Sequence, residues 1–123
     1  LFAGFASAAI NVCPSIDDIR GEGISMSEAM ADNIFLTYQL SNYNTASSWG
    51  FLIAPITADD DDEAIAQANG ILDQMSAPGV SVETSGMLVC TYETGVEKVF
   101  AAAIRDDYSV TPAKLKQFFK TRH

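Results

Sequence analysis

Cys13 and Cys90 are the only cysteines in the chain, and no other feature constrains the fold as much. Two thiols allow one intramolecular pairing. In an exported chain, which meets an oxidising compartment, that pair closes into a disulfide. The bridge would fasten the start of the mature domain to a strand late in the sequence. A loop of that length restrains the unfolded chain by about 4 kcal/mol in the chain-entropy account. The competing reading is two buried free thiols in a reducing compartment.

The first residues bear on which compartment applies. Leu1-Phe2-Ala3-Gly4-Phe5-Ala6-Ser7-Ala8-Ala9 is apolar, uncharged and rich in small side chains. Ala6-Ser7-Ala8 fits the small-x-small pattern ahead of a signal-peptidase cut, so residues 1–8 read as the remnant of a signal peptide. Residues 9–123 then form a single exported domain, periplasmic or secreted. The alternative is an ordinary apolar helix or strand packed on the core. The run is shorter than the ~20 apolar residues of a membrane-spanning helix, and nothing later approaches that length.

A chain of 123 residues, 48 % of them hydrophobic, can bury one core. Sixteen acids against seven bases give a formal net charge of −9, a field that repels phosphate backbones and argues against nucleic acid as a partner. The bases are unevenly placed. Lys114, Lys116, Lys120 and Arg122 crowd the last turns with no acid among them. Such a basic segment either docks on the acidic body or presents itself to an acidic partner.

Hydrophobic spacing predicts an α+β fold. Cys13 to Ile19 reads as a turn of helix ended by Gly21 and Gly23. Ser25-Met26-Ser27-Glu28 has the form of a capping box that opens a short helical stretch. Ile34, Leu36, Tyr38 and Leu40 then alternate with other residues, a strand signal, and Trp49 to Ile56 is a second β-rich run after the turn residues Asn42 to Ser47. Asp59 to Glu63 opens the clearest helix, since carboxylates oppose the dipole at a helix N-terminus. Ala64, Ile65, Ala68, Ile71, Leu72 and Met75 form its apolar stripe, and Ala77-Pro78-Gly79 stops it. Val80–Glu83, Met87–Glu93 and Val99–Ile104 read as strands, with Ser85-Gly86 and Thr94-Gly95 as turns. Thr111 and Pro112 start a last helix with Leu115, Phe118 and Phe119 as its apolar positions. The expected architecture is an antiparallel sheet of two β-hairpins, each followed by a helix, with the helices on one face. Matches 49 residues apart hint at a duplicated ββα unit: Tyr43 with Tyr92, Thr45 with Thr94, Phe51 with Phe100, and Ala54 with Ala103.

Few residues carry recognisable chemistry. The lone histidine is His123, so serine and cysteine nucleophiles lack a positioned base in the body of the chain. Gly21-Glu22-Gly23 lacks the third glycine of a dinucleotide turn. Asp59–Asp62 and Asp106-Asp107 are explained by capping and turns, and they lack the mid-loop glycine and alternation of a calcium loop. The sequence therefore reads as non-enzymatic, with no catalytic residue and no metal site. The aromatic residues mostly belong to a core, yet Tyr38, Tyr43, Trp49 and Tyr92 are candidates to rim an apolar groove. Tyrosines and the methionines Met26, Met30, Met75 and Met87 are the conceivable haem ligands.

The chain resembles a family of small exported bacterial proteins at Cys13-Pro14, Tyr43-Asn44-Thr45, Trp49-Gly50-Phe51, Ala68-Asn69 and Cys90-Thr91-Tyr92. Some members are labelled hemin-binding protein. The resemblance implies a periplasmic or secreted protein linked to iron-porphyrin acquisition, and it carries no ligand residue over to this sequence. Two readings follow. One is an exported binding protein with an aromatic-rimmed groove for hemin or another hydrophobic small molecule. The other is a protein-interaction module that uses a sheet edge or the basic C-terminal helix formed around Lys114, Lys116, Lys120 and Arg122.

Overall fold

A computed structural model describes residues 13–84, 87–105 and 115. The leader expected at residues 1–8, the Ser85-Gly86 turn, Asp106-Asp107 and the four C-terminal cations lie outside the described residues.

Helix α1 (Ile16–Glu22) starts at Ser15, whose hydroxyl accepts from the Asp18 amide at 3.1 Å and so satisfies one of the free amides of the first turn. It runs through Gly21 and ends at Gly23, where φ is 74°, a conformation glycine adopts without strain. Ser25–Glu28 does not open a helix. Strand β1 (Met26–Ala31) occupies that stretch, and the Ser25 amide and hydroxyl both donate to Gln39 Oε1, at 3.0 and 2.6 Å. The decisive signal is Asp32-Asn33, a two-residue turn with Asn33 at φ 60°. It returns the chain as β2 (Ile34–Ser41) before a helix has room to form.

Strand β3 (Trp49–Thr57) completes a three-stranded meander, and helix α2 (Asp61–Gln74) follows. The acidic run before α2 acts as a cap. Asp60 accepts from the Glu63 amide at 2.8 Å, and Glu63 accepts in return from the Asp59 amide at 2.8 Å. Strands β4 (Val80–Thr84), β5 (Met87–Tyr92) and β6 (Phe100–Arg105) form a second meander. All neighbouring strands are antiparallel, in the order β1-β2-β3-β6-β5-β4. The expected α+β class and antiparallel sheet are present. Each half, however, is a three-stranded meander where a hairpin was the expected unit: β1 is the added strand of the first half, the three strands read in the second half are all present, and β3 and β6 pair at the centre.

Period-two alternation gives the sheet two apolar faces. One face, here the helix face, carries Phe35, Trp49, Phe51, Ile53, Cys90, Tyr92, Ala101 and Ala103, packed with Ile19 of α1 and Ala64, Ala68 and Leu72 of α2. The other carries Leu36, Tyr38, Leu52, Ala54, Val89, Ala102 and Ile104. Both described helices thus contribute to one cluster. Leu115, the described residue of the expected last helix, is helical and buried in the other cluster.

The helix face is held differently on its two sides. Helix α2 lies against β1, β2 and β3. Asn69, half-buried midway along the helix, clasps the chain entering β1: its Oδ1 accepts from the Ile24 amide at 2.9 Å, and its Nδ2 donates to the Ile24 carbonyl at 2.8 Å. A buried backbone pair left without such partners would cost about 1–3 kcal/mol per group. Helix α2 has no base in its own last turn. Arg20 reaches across from α1 instead and donates to the Met75 carbonyl, a favourable placement for a cation. On the β5 side a disulfide joins Cys13 to the fully buried Cys90, with Cα atoms 5.8 Å apart. Beside it the Tyr92 hydroxyl donates to the Pro14 carbonyl at 2.6 Å. Gly79 lies flat on the Tyr92 ring; a Cβ there would sit 2.7 Å from Cζ.

Candidate ligand cleft

Cross-strand registers line up Met26, Tyr38, Leu52, Ala102, Thr91 and Val80 across all six strands on the face opposite α1 and α2. Cross-strand neighbours normally fill the space between them. Here Ala102 and Thr91 are small, and the row dips between Leu52 and Val80. The cause is local in sequence. β6 contains Ala101-Ala102-Ala103, whose outer two members face α1 and α2 and make room for Phe51 and Tyr92. Those rings meet edge to face with centroids 5.7 Å apart. The middle alanine opens a hollow on the opposite face.

The loop from β5 to β6, residues 93–99, walls this hollow and converts it into a cleft of about 620 Å³. Leu52, Thr91 and Ala102 form the floor; Val96, Val99 and Phe100 add apolar wall; Glu93, Glu97 and Lys98 stand exposed at the rim. The loop is internally fixed. The Thr94 hydroxyl accepts from the Val96 amide at 3.0 Å and faces the Val99 carbonyl at 3.0 Å, and the Val99 amide donates to the Val96 carbonyl at 3.2 Å. Gly95 and Lys98 take φ of 77° and 68° to make the bend. A preformed apolar hollow with a few polar groups at its edge is the usual construction of a small-molecule site.

The four aromatic residues expected to rim a groove are not gathered in one. Tyr43 and Trp49 lie in the core of the helix face, and Trp49 is 1 % exposed with its indole Nε1 donating to Thr45 Oγ1 at 2.9 Å. Arg105 lies over the same indole, 5.8 Å from the ring centroid. Tyr38 is buried on the opposite face. Only Tyr92 of the four borders the cleft, and its hydroxyl is committed to Pro14. Burial raises the Tyr92 phenol above its ordinary value. Tyr43 is raised by burial first, then by Glu22 and Tyr92, and Tyr38 by burial and then Glu28. The cleft's described lining holds no histidine, cysteine or methionine, and a phenol held protonated by burial is a poor iron ligand. These residues do not fit axial coordination of a haem iron.

A small α+β domain with an open six-stranded antiparallel sheet, one disulfide and an apolar cleft on the sheet is the class these features define. The chain belongs to the family described as a domain of unknown function (DUF4949), whose model matches residues 12–118. No curated relative and no solved structure matches it. Among the described residues no helix is long and apolar enough to cross a membrane.

Proposed function

We propose that this domain is an exported, non-enzymatic binding protein that holds a hydrophobic small molecule in the cleft between the sheet and the β5–β6 loop. The observation that carries the reading is the cleft: about 620 Å³, apolar at its floor, and walled by a loop whose own hydrogen bonds fix it before any guest arrives. A preformed site avoids the ordering cost that a flexible loop would impose on binding. Its charged groups stand at the rim, and the floor offers contact, which suits retention of a guest over its transformation. Export is supported by the Cys13–Cys90 disulfide, a bond that persists in oxidising compartments. Hemin, the ligand suggested by the family resemblance, would be held by apolar contact without axial ligation. Its two propionates would meet the carboxylates Glu93 and Glu97 at the rim, so a guest without negative charge fits the cleft better.

The test is a titration of the oxidised protein with the neutral apolar fluorophore N-phenylnaphthylamine, with hemin absorbance measured in parallel. Saturable binding at one site is expected for the fluorophore. Ala102→Trp, which fills the floor, should abolish it. Thr91→Trp should do the same from an exposed position that leaves the core undisturbed. An absent or unsaturable signal, or unchanged binding in the folded Thr91→Trp protein, would overturn the reading.

A further inference from the structure

The charges around the cleft identify the kind of guest, on the premise that the cleft is a binding site. We infer that its ligand is a hydrophobic cation: an apolar body with an ammonium-like end. Among the described residues three charged side chains line the cleft, and two of them, Glu93 and Glu97, are carboxylates beside the ammonium of Lys98. The Thr94 hydroxyl is spent within the loop, so the carboxylates are the strongest acceptors left to a guest. The surroundings reinforce them. The chain as a whole carries sixteen acids against seven bases, a formal net charge of −9. An anion entering the cleft must approach through that field, whereas a cation is drawn by it. The apolar floor supplies affinity without regard to sign, and the rim supplies the discrimination.

The experiment displaces bound N-phenylnaphthylamine from the full chain with three guests that share one alkyl tail: dodecyltrimethylammonium, dodecanol and dodecanoate, each below its micelle concentration. Using the full chain includes the field of Lys114, Lys116, Lys120 and Arg122 in the measurement. The ammonium should displace about threefold to tenfold better than the carboxylate, the range expected for exposed charge pairs. Raised salt should erase the difference. Glu93→Gln with Glu97→Gln should remove the preference while leaving dodecanol unchanged. Dodecanoate equal to or better than the ammonium, with dodecanol displacing normally, would overturn this inference and leave the cleft standing as an apolar site. Failure of all three guests together with failure of the fluorophore to bind would overturn the cleft itself.

Discussion

The loops that lead into the two central strands begin alike and end differently. Before β3, Tyr43 is buried and Thr45 accepts from the Ser47 amide at 3.2 Å; before β6, Tyr92 is buried and Thr94 accepts from the Val96 amide at 3.0 Å. In both, a tyrosine anchors the loop to the helix face and a threonine two residues on folds the loop over itself. The first loop is then sealed, because the Trp49 indole donates back to Thr45 from within the core. The second has no such aromatic. Val96 and Phe100 stay exposed, at 44 % and 47 %, and the loop overhangs the opposite face instead of closing on itself. A shared loop device thus serves packing on one side of the sheet and leaves a cleft on the other. The two sides also differ in what restrains them: a helix with an asparagine clasp over β1–β3, and a disulfide with a tyrosine–proline hydrogen bond over β5.

Breaking the disulfide gives the largest effect. Cys13→Ser with Cys90→Ser should lose about 4 kcal/mol of stability, measured by urea unfolding. Hydrogen exchange should rise most in β5 and β4, with the α2–β1 contacts retained longer. A uniform loss across both halves would show that the two sides do not differ in this way.

The paired threonines sharpen the comparison. Thr45→Val leaves a buried indole N–H without its acceptor and should cost about 2 kcal/mol, with binding of the fluorophore unchanged. Thr94→Val should cost about 1 kcal/mol, because the amide it leaves without its acceptor belongs to the exposed Val96, yet it should weaken binding by loosening the cleft wall. Equal effects on stability and on binding in the two variants would remove the distinction.

The smallest effect at neutral pH is electrostatic and emerges only in alkali. Tyr43 and Tyr92 have phenol pKa values raised by burial, so the folded state holds those protons more tightly than the unfolded state does. Their contribution is complete below the ordinary tyrosine value of about 10 and is lost as pH rises above it. Urea midpoints should therefore fall between neutral pH and about pH 11. Tyrosinate absorbance from these two residues should appear only with unfolding. Ionisation of all the tyrosines with the fold intact would contradict the burial assigned to them.

Much of the fold was legible because its elements obey local rules. Asp60 to Glu63 announced α2 by capping, the alternation from Ile34 to Leu40 announced β2, and the lone cysteine pair announced the bridge. Strand β1 is masked in the sequence because Ser25–Glu28 satisfies a capping-box pattern, while the stronger signal, the Asp32-Asn33 turn, comes seven residues after Ser25. The matches 49 residues apart divide on the same physical ground. Tyr43 and Tyr92, with Thr45 and Thr94, fall in equivalent loops, but Phe51 is buried on the helix face and Phe100 is exposed on the opposite side. Ala54 and Ala103 likewise belong to opposite clusters. An odd shift along a strand reverses the face. The cleft is hidden in the sequence because large aromatic side chains, the usual markers of a groove, are spent on the core in a domain this small. The site is made by what is small, Ala102 and Thr91. The run Ala101-Ala102-Ala103 within a strand was the one local signal that could have located it.

The measurement that bears most directly on the account is amide chemical-shift mapping of the oxidised, isotope-labelled protein during titration with N-phenylnaphthylamine. The account requires saturable shifts concentrated at Leu52, Thr91, Ala102 and the loop from Glu93 to Val99, with the Trp49 indole and the Asn69 clasp unmoved. Shifts centred on the exposed β4 edge at Val80 and Val82, or shifts that never saturate, would contradict it.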